Sequence, residues 1–255
     1  MAFDEWMLQS AAKTPGGLFV RLYTWQVGTI TFGYNQRRET AMDFGALGDT
    51  PVIRRVTGGR AVYHDISELT YALAFNAATP PCPALTGSGG ETSEMIARML
   101  SGFLERFGIA SDWVKRSSSR NARPEYFHKA ACFDSHAKYE LTAGQSKIVA
   151  SARRDWNGAA LQHGSIKLYG LAPHPALKVD SVYPLAPTKS IDASELKDLT
   201  KAFAESVRDV FGLSVTESIP AQSDLVEIES RRIQVEQRPT DRRDLIAQSS
   251  VLLSL

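Results

Sequence analysis

The sequence predicts an α+β domain, a mixed and mostly antiparallel sheet packed by helices, with a small C-terminal extension. Three observations predict it. Residues 137–168 read as successive strands, Lys138–Thr142, Ser146–Arg153 and Gly158–Leu168, joined by turns at Ala143-Gly144 and Asn157-Gly158. Two helix starts are marked as capping boxes, Ser88-Gly89-Gly90-Glu91 and Asp192-x-x-Glu195, each ahead of an apolar stripe. Leu69, Tyr71, Leu73 and Phe75 alternate with Thr70, Ala72 and Ala74, a pattern that wants one face on a core. The main domain is expected over residues 1–212 and the extension over 213–255.

Taken in order, residues 2–12 place Phe3, Trp6 and Met7 on one helical face, with Asp4 and Glu5 in the first turn where the helix dipole favours them. Pro15-Gly16-Gly17 ends that helix. Leu18 to Trp25 alternates as a strand, and Thr29 to Gly33 makes a second, short one. Arg38 to Phe44 suits a short helix, and Val52-Ile53 a strand. Pro80-Pro81-Cys82-Pro83 is a stiff loop, and Cys82, with no base nearby, reads as structural. The helix behind Glu91 carries Met95, Ile96, Met99, Leu100, Phe103, Leu104 and Phe107 on one stripe and closes at Gly108. Ser111 to Pro124 is polar and basic and reads as a solvated loop, the alternative being a docking surface for an acidic partner. The helix after Glu195 buries Leu196, Leu199, Phe203, Val207 and Val210 and stops at Gly212; it is expected at the sheet edge or in the extension.

A chain of 255 residues buries a sizeable core. Its 29 basic and 28 acidic residues leave a net charge of +1, which argues against nucleic-acid binding driven by bulk charge. The two cysteines, Cys82 and Cys132, build neither a disulfide framework nor a Cys-x-x-Cys zinc site, and no metal-ligand spacing joins His128, His136 and His174. Met-Ala-Phe-Asp-Glu lacks the basic start and apolar run of a signal peptide, and no run reaches the length of a membrane span. The expected compartment is the cytoplasm.

The chemistry centres on Arg54-Arg55-Val56-Thr57-Gly58-Gly59-Arg60-Ala61-Val62-Tyr63-His64. Glycines let a ligand approach the main chain, and arginine offers a planar fork of donors. Read alone, the string is a hairpin turn flanked by solvated arginines or a cradle for a negatively polarised group. His64, at the end of a strand, reads as a general base, a carbonyl-orienting donor or a satisfied core histidine; His163 reads as a structural hydrogen-bonding residue.

The whole string, followed by Leu69-Thr70-Tyr71, resembles the signature of the lipoate–protein ligase and octanoyltransferase family, which shares its fold with biotin–protein ligases. The resemblance runs from about Phe3 to about Tyr169. It implies that Arg54, Arg55, Thr57, Gly58, Gly59, His64 and His163 lie about a substrate site, and that the Trp25 region walls an acyl pocket. It implies too that Lys147, in Gly144-Gln145-Ser146-Lys147, contacts the acyl carbonyl or acyl-adenylate. Cys132-Phe133-Asp134, ahead of Tyr139-Glu140, matches the octanoyltransferase branch whose nucleophilic cysteine precedes the lysine. The branch with its cysteine after the lysine does not fit, because no cysteine follows residue 132. Ala150 stands where glycine is common and Val56 where proline is frequent, departures that bear on substrate range.

A free thiol titrates near about 8.5, and an adjacent ammonium favours the thiolate. The resemblance therefore implies a protein N-octanoyltransferase of lipoate biosynthesis. Cys132 takes octanoyl from acyl carrier protein as a thioester, Lys147 orients the carbonyl, and a narrow apolar tunnel holds the chain. The acyl group then passes to a lysine of a lipoyl domain or the glycine-cleavage H protein, with no ATP and no metal. One alternative is an ATP- and Mg²⁺-dependent lipoate–protein ligase in which Cys132 is incidental; another is a non-catalytic carrier-binding paralogue.

Overall fold

Strand β5 (Leu69–Asn76) runs through the middle of the protein, and every one of its residues is buried. The computed structural model describes residues 1–37, 41–113, 140–144, 146–169, 173–177, 189–236 and 250–254. Before β5 come α1 (Ala2–Lys13), β1 (Leu18–Thr24), β2 (Thr29–Phe32), β3 (Val52–Arg54) and β4 (Val62–His64). After it come α2 (Gly89–Glu105), β6 (Asp112–Trp113), β7 (Leu141–Ala143), β8 (Ser146–Trp156), β9 (Ala159–Ile166), α3 (Ala193–Phe211), β10 (Thr216–Ser218), α4 (Gln222–Glu236) and β11 (Ser250–Ser254).

The main sheet has eight strands in the order β10-β11-β1-β5-β9-β8-β7-β6. All of its pairings are antiparallel. A second sheet, β3-β2-β4, holds the parallel pair β2–β3, so the fold is mixed and mostly antiparallel. The long β8–β9 hairpin turns at Asn157-Gly158, both at positive φ (47° and 74°), the turn geometry that matches strand twist.

The alternation in β5 covers both faces rather than one. Tyr71, Leu73 and Phe75 join the larger core with Ile96, Met99 and Phe103 of α2 and Phe203 of α3. On the other face Ala72 and Ala74 lie against Trp6, Met7, Leu8 and Ala11 of α1. Small side chains let that helix approach closely, which is why the second face looked bland in the sequence.

Both halves of the α2 capping box form. Phe107, placed on its stripe by spacing, falls beyond the last turn; it is exposed and packs edge-on against Phe103 at 5.3 Å. In α3 only half of the second box forms. Asp192 accepts from the Glu195 N–H at 2.9 Å, but the Glu195 carboxylate turns to the Tyr169 hydroxyl and to Lys189. Helix α3 is a core helix rather than an edge one, since Phe203 packs between Phe103 (5.3 Å) and Tyr71 (6.3 Å). Val210, expected inside, is only partly buried, and Phe211 is buried in its place.

Of the expected 38–44 helix, residues 38–40 lie outside the described residues; Phe44–Ala46 forms a 3-10 turn capped by Asp43. Within Ser111–Pro124 the described part is 111–113, where β6 ends the sheet; 114–124 lie outside. The C-terminal segment contributes β10 and β11 to the main sheet, with Leu252 and Leu253 buried on opposite faces of it. Ile228 of α4 packs against the α1 cluster.

Candidate active site

The signature residues sit where the small sheet meets the large one. Gly59 adopts φ +92°, and the loop passes so close to Gly33 that a Cβ there would stand 2.0 Å from the Gly59 carbonyl oxygen. Both arginines grip main-chain oxygens nearby. Arg55 donates to the carbonyls of Gly58 (3.1 Å) and Arg60 (2.7 Å) and to Thr31 Oγ1 (2.8 Å). Arg54 donates to Tyr34 O (2.7 Å) and Gln36 O (3.0 Å), and its guanidinium lies over the Phe32 ring. A rigid fork on several carbonyls locks the diglycine loop in one shape.

Two chains of identical chemistry flank that loop. In the first, Thr31 Oγ1 meets His64 Nε2 at 2.7 Å, and His64 Nδ1 meets Glu68 Oε1 at 2.5 Å. Arg55 already donates to Thr31, so the Thr31 hydroxyl hydrogen goes to Nε2 and the Nδ1–H goes to Glu68. In the second, Thr57 Oγ1 meets His163 Nε2 at 2.7 Å and His163 Nδ1 meets Asp4 Oδ2 at 2.9 Å. Each carboxylate has its own cation: Lys167 on Glu68, Arg21 on Asp4 at 3.2 Å.

Burial is the largest influence on both rings and holds His64 and His163 below 6.5, so both are neutral at pH 7. For Glu68, burial pushes the carboxyl up, but His64 and Lys167 together bring it down to about 2. Asp4 is likewise pushed up by burial, then held well below the usual carboxylate range by the amino terminus, His163 and Arg21. Each assembly is thus a neutral histidine beside a compensated ion pair. His64 is hydrogen-bonded at both nitrogens, as a core histidine is, and also borders the cavity described next.

Between the sheets lies a mainly apolar cavity bordered by Gly59, Val62 and His64 on one side and Ala150–Ala152 and His163–Ser165 on the other, with Met1, Arg55 and Thr70 completing it. Its interior is narrow, about 30 Å³, and it reaches about 370 Å³ counted out through its open mouth. So small an interior would admit an acyl chain of the kind the sequence resemblance implies only with movement of the lining side chains. Trp25 stands one layer behind: its ring stacks on His64 at 4.3 Å, and its Nε1 donates to Thr70 at 2.8 Å. Lys147, on β8, is buried and donates to Glu140 at 2.6 Å, away from the cavity lining. Ala150 is on the lining, paired with Ser165 of β9. Cys132, His128 and His136 lie outside the described residues. Cys82 is buried in the main core. Among the described residues no group of three His, Cys, Asp or Glu side chains is placed to hold a metal, and no helix is long and apolar enough to cross a membrane.

Sequence reasoning missed the residues behind the site: Asp4, read as a dipole residue, and Thr31, Glu68, Thr70, Ser151 and Lys167. One signal was available. Arg21 and Lys167 each interrupt an apolar strand, and a charge in such a place calls for a buried counter-charge.

The chain belongs to the lipoyl protein ligase A/B catalytic domain family, whose model matches residues 1–210. It is 38% identical over 172 residues to the octanoyltransferase LipM of Moorella thermoacetica, covering 66% of this chain and 60% of that one. It is 35% identical over 170 residues to that of Kyrpidia tusciae, covering 66% and 61%. The match thus spans about three-fifths of the length of these two relatives. With the octanoyltransferase LipM of Halalkalibacterium halodurans the identity is 30% over 262 residues, covering 94% and 92%. Among solved structures, a lipoate-protein ligase A bound with ATP superposes with TM-score 0.69 at 18% identity, covering 90% of this chain and 86% of that one. A bi-partite lipoate protein ligase from Thermoplasma acidophilum, described with its E2 lipoyl domain, gives TM-score 0.69 at 15% identity, covering 96% and 92%. These two likenesses are of fold.

Proposed function

We propose that this protein is an octanoyltransferase of lipoate biosynthesis, working in the cytoplasm without ATP or metal. The observation that carries the reading is the apolar cavity, bounded by the diglycine loop and the Ala150–Ala152 strand, in a chain 38% identical to an octanoyltransferase. In this reading the octanoyl chain enters through the mouth, displacing the flexible Met1 side chain from the lining. Burying the chain contributes roughly 0.8 kcal/mol per methylene.

The thiolate of Cys132 attacks the thioester of octanoyl-acyl carrier protein, and backbone N–H groups of the Gly58-Gly59 loop or of β8 stabilise the oxyanion. Lys147 exchanges its Glu140 partner to offset charge near the carbonyl, Ala150 sets the bore, Arg55, His64 and His163 line it, and Arg54, Thr57 and Trp25 brace those walls from behind. The lysine amine of a lipoyl domain or H protein then takes the acyl group as an amide, a downhill exchange for a thioester.

The test is incubation with octanoyl-acyl carrier protein and a lipoyl domain, followed by intact mass. The expected result is one octanoyl group on the enzyme, lost with Cys132→Ser, and one on the lipoyl domain. Modification that survives Cys132→Ser and requires ATP would select a ligase instead. Retention of the carrier with no transfer would select a non-catalytic paralogue.

A further inference from the structure

One row across the main sheet gives the cavity a polar wall. By register Thr70 of β5, Ser165 of β9 and Ala150 of β8 stand side by side, and all three border the cavity. Ala72, His163 and Ala152 form the next row of the same face. The hydroxyls of Ser151 and Tyr71 belong to the opposite face, where they meet at 2.7 Å.

Donor and acceptor counting singles out Ser165. Its side chain is buried, and its oxygen lies 3.3 Å from His64 Nδ1. The hydrogen on that nitrogen goes to Glu68 at 2.5 Å, so Ser165 receives a side share of it and finds no lone pair there to donate to. Among the described residues no other side chain or carbonyl accepts the Ser165 hydroxyl hydrogen. A buried hydroxyl hydrogen without an acceptor is costly, and an acceptor brought into the cavity removes that cost. The neighbouring polar groups are already committed. Thr70 accepts from Trp25 and donates to Glu68, His163 is held at both nitrogens by Thr57 and Asp4, and Arg55 donates to Thr31 and to the carbonyls of Gly58 and Arg60.

We infer that Ser165 is a substrate-contacting residue whose hydroxyl donates to the carbonyl oxygen of the bound acyl group, while the His64 N–H steadies its oxygen from behind. This rests on the octanoyl-transfer reading. A saturated acyl chain brings one strong acceptor, its carbonyl, into a mainly apolar cavity, and a waiting donor there fixes where the carbonyl stops. Ser165 stands opposite Ala150, on the row of the cavity nearest Lys147, the lysine that offsets charge at the carbonyl in that reading. As the Cys132 sulfur bonds to the carbonyl carbon, the π pair moves onto oxygen and the Ser165 hydroxyl holds the charge. When the pair returns, the carbon–sulfur bond to the carrier breaks and the carrier leaves as a thiolate. A donor aimed before the reaction begins needs no reorientation at that moment.

The test compares wild type, Ser165→Ala and Ser165→Thr in octanoyl transfer from octanoyl-acyl carrier protein to a lipoyl domain. Inhibition by octyl-acyl carrier protein, a thioether without the carbonyl oxygen, is measured beside it. Ser165→Ala is expected to lower kcat about 100-fold with KM within about threefold, the pattern of a contact made in the transition state. Ser165→Thr keeps the hydroxyl and restores most of the rate. The thioether should inhibit wild type and Ser165→Ala within about threefold of each other, because it offers the hydroxyl nothing to bond and reports only an intact cavity. A wild-type protein that transfers nothing overturns both the function and this assignment. An active wild type overturns the assignment alone in either of two cases: Ser165→Ala stays within about twofold of it, or Ser165→Ala weakens the thioether as much as it slows transfer, the mark of a collapsed cavity.

Discussion

Replacing Glu68 with glutamine tests the account of the buried site most directly. Glu68 is fully buried and accepts from His64 Nδ1 (2.5 Å), Thr70 Oγ1 (2.8 Å) and Lys167. Despite its burial, the two basic partners bring the carboxyl from 4.5 to about 2. At about 1.4 kcal/mol for each tenfold change in proton affinity, that fall is worth roughly 3 kcal/mol. The amide in Glu68→Gln has the same shape but no charge, and its NH₂ end is a donor among donors. Lys167, also buried, loses this carboxylate, a situation that typically costs about 3–5 kcal/mol. At about 2–4 °C per kcal/mol, thermal denaturation should show a Tm lower by roughly 6–20 °C.

The pH dependence fixes the sign. The depressed carboxyl contributes stability that is complete above 4.5 and is lost as pH falls toward 2, so the gap between wild type and variant should close over that range. A Tm change below about 2 °C at neutral pH would refute the reasoning. Adding Lys167→Met to Glu68→Gln should recover part of the loss, because the stranded charge leaves with it.

Three further outcomes are expected. Gly33→Ala puts a methyl carbon 2.0 Å from the Gly59 carbonyl oxygen; urea unfolding should show a loss of at least about 2 kcal/mol, with transfer activity reduced because the diglycine loop moves. Thr57→Val keeps the shape but leaves His163 Nε2 without its donor; the same measurement should show a loss of about 1–3 kcal/mol. His64 and His163 are held below 6.5, so the unfolded chain binds protons first on acidification; the urea midpoint should stay flat above about pH 7 and fall through 6.5, and a midpoint unchanged down to about pH 5 would contradict their neutral burial.

Local signals carried most of the fold. The capping box at Ser88 and the apolar stripe behind it set α2, and Asn157-Gly158 marked the hairpin of β8 and β9 because both residues must take positive φ. Long-range relations were hidden. Nothing beside Asp4 in the chain indicates that its carboxylate meets His163 across 159 positions, since that meeting depends on α1 crossing β9. Glu195 has the right spacing for a reciprocal cap, yet Tyr169 and Lys189 compete for its carboxylate, and only the folded chain brings them near. Of the candidate site, the diglycine loop, His64, Ala150 and His163 were legible and do converge on one cavity. Glu68 was not, because a carboxylate ahead of a strand declares nothing until His64 and Lys167 stand beside it.

The pairing of β11 with β1 has a consequence for synthesis and handling. Phe19 to Tyr23 find their hydrogen-bonding neighbours at residues 250–254, more than two hundred positions later. While the chain is being made, that flank of the central layer stays raw, a ladder half awaiting its last rung. Trimming the tail during cloning or by proteolysis would leave the same flank as a template for another copy to pair with, so clipped preparations should be the ones that precipitate.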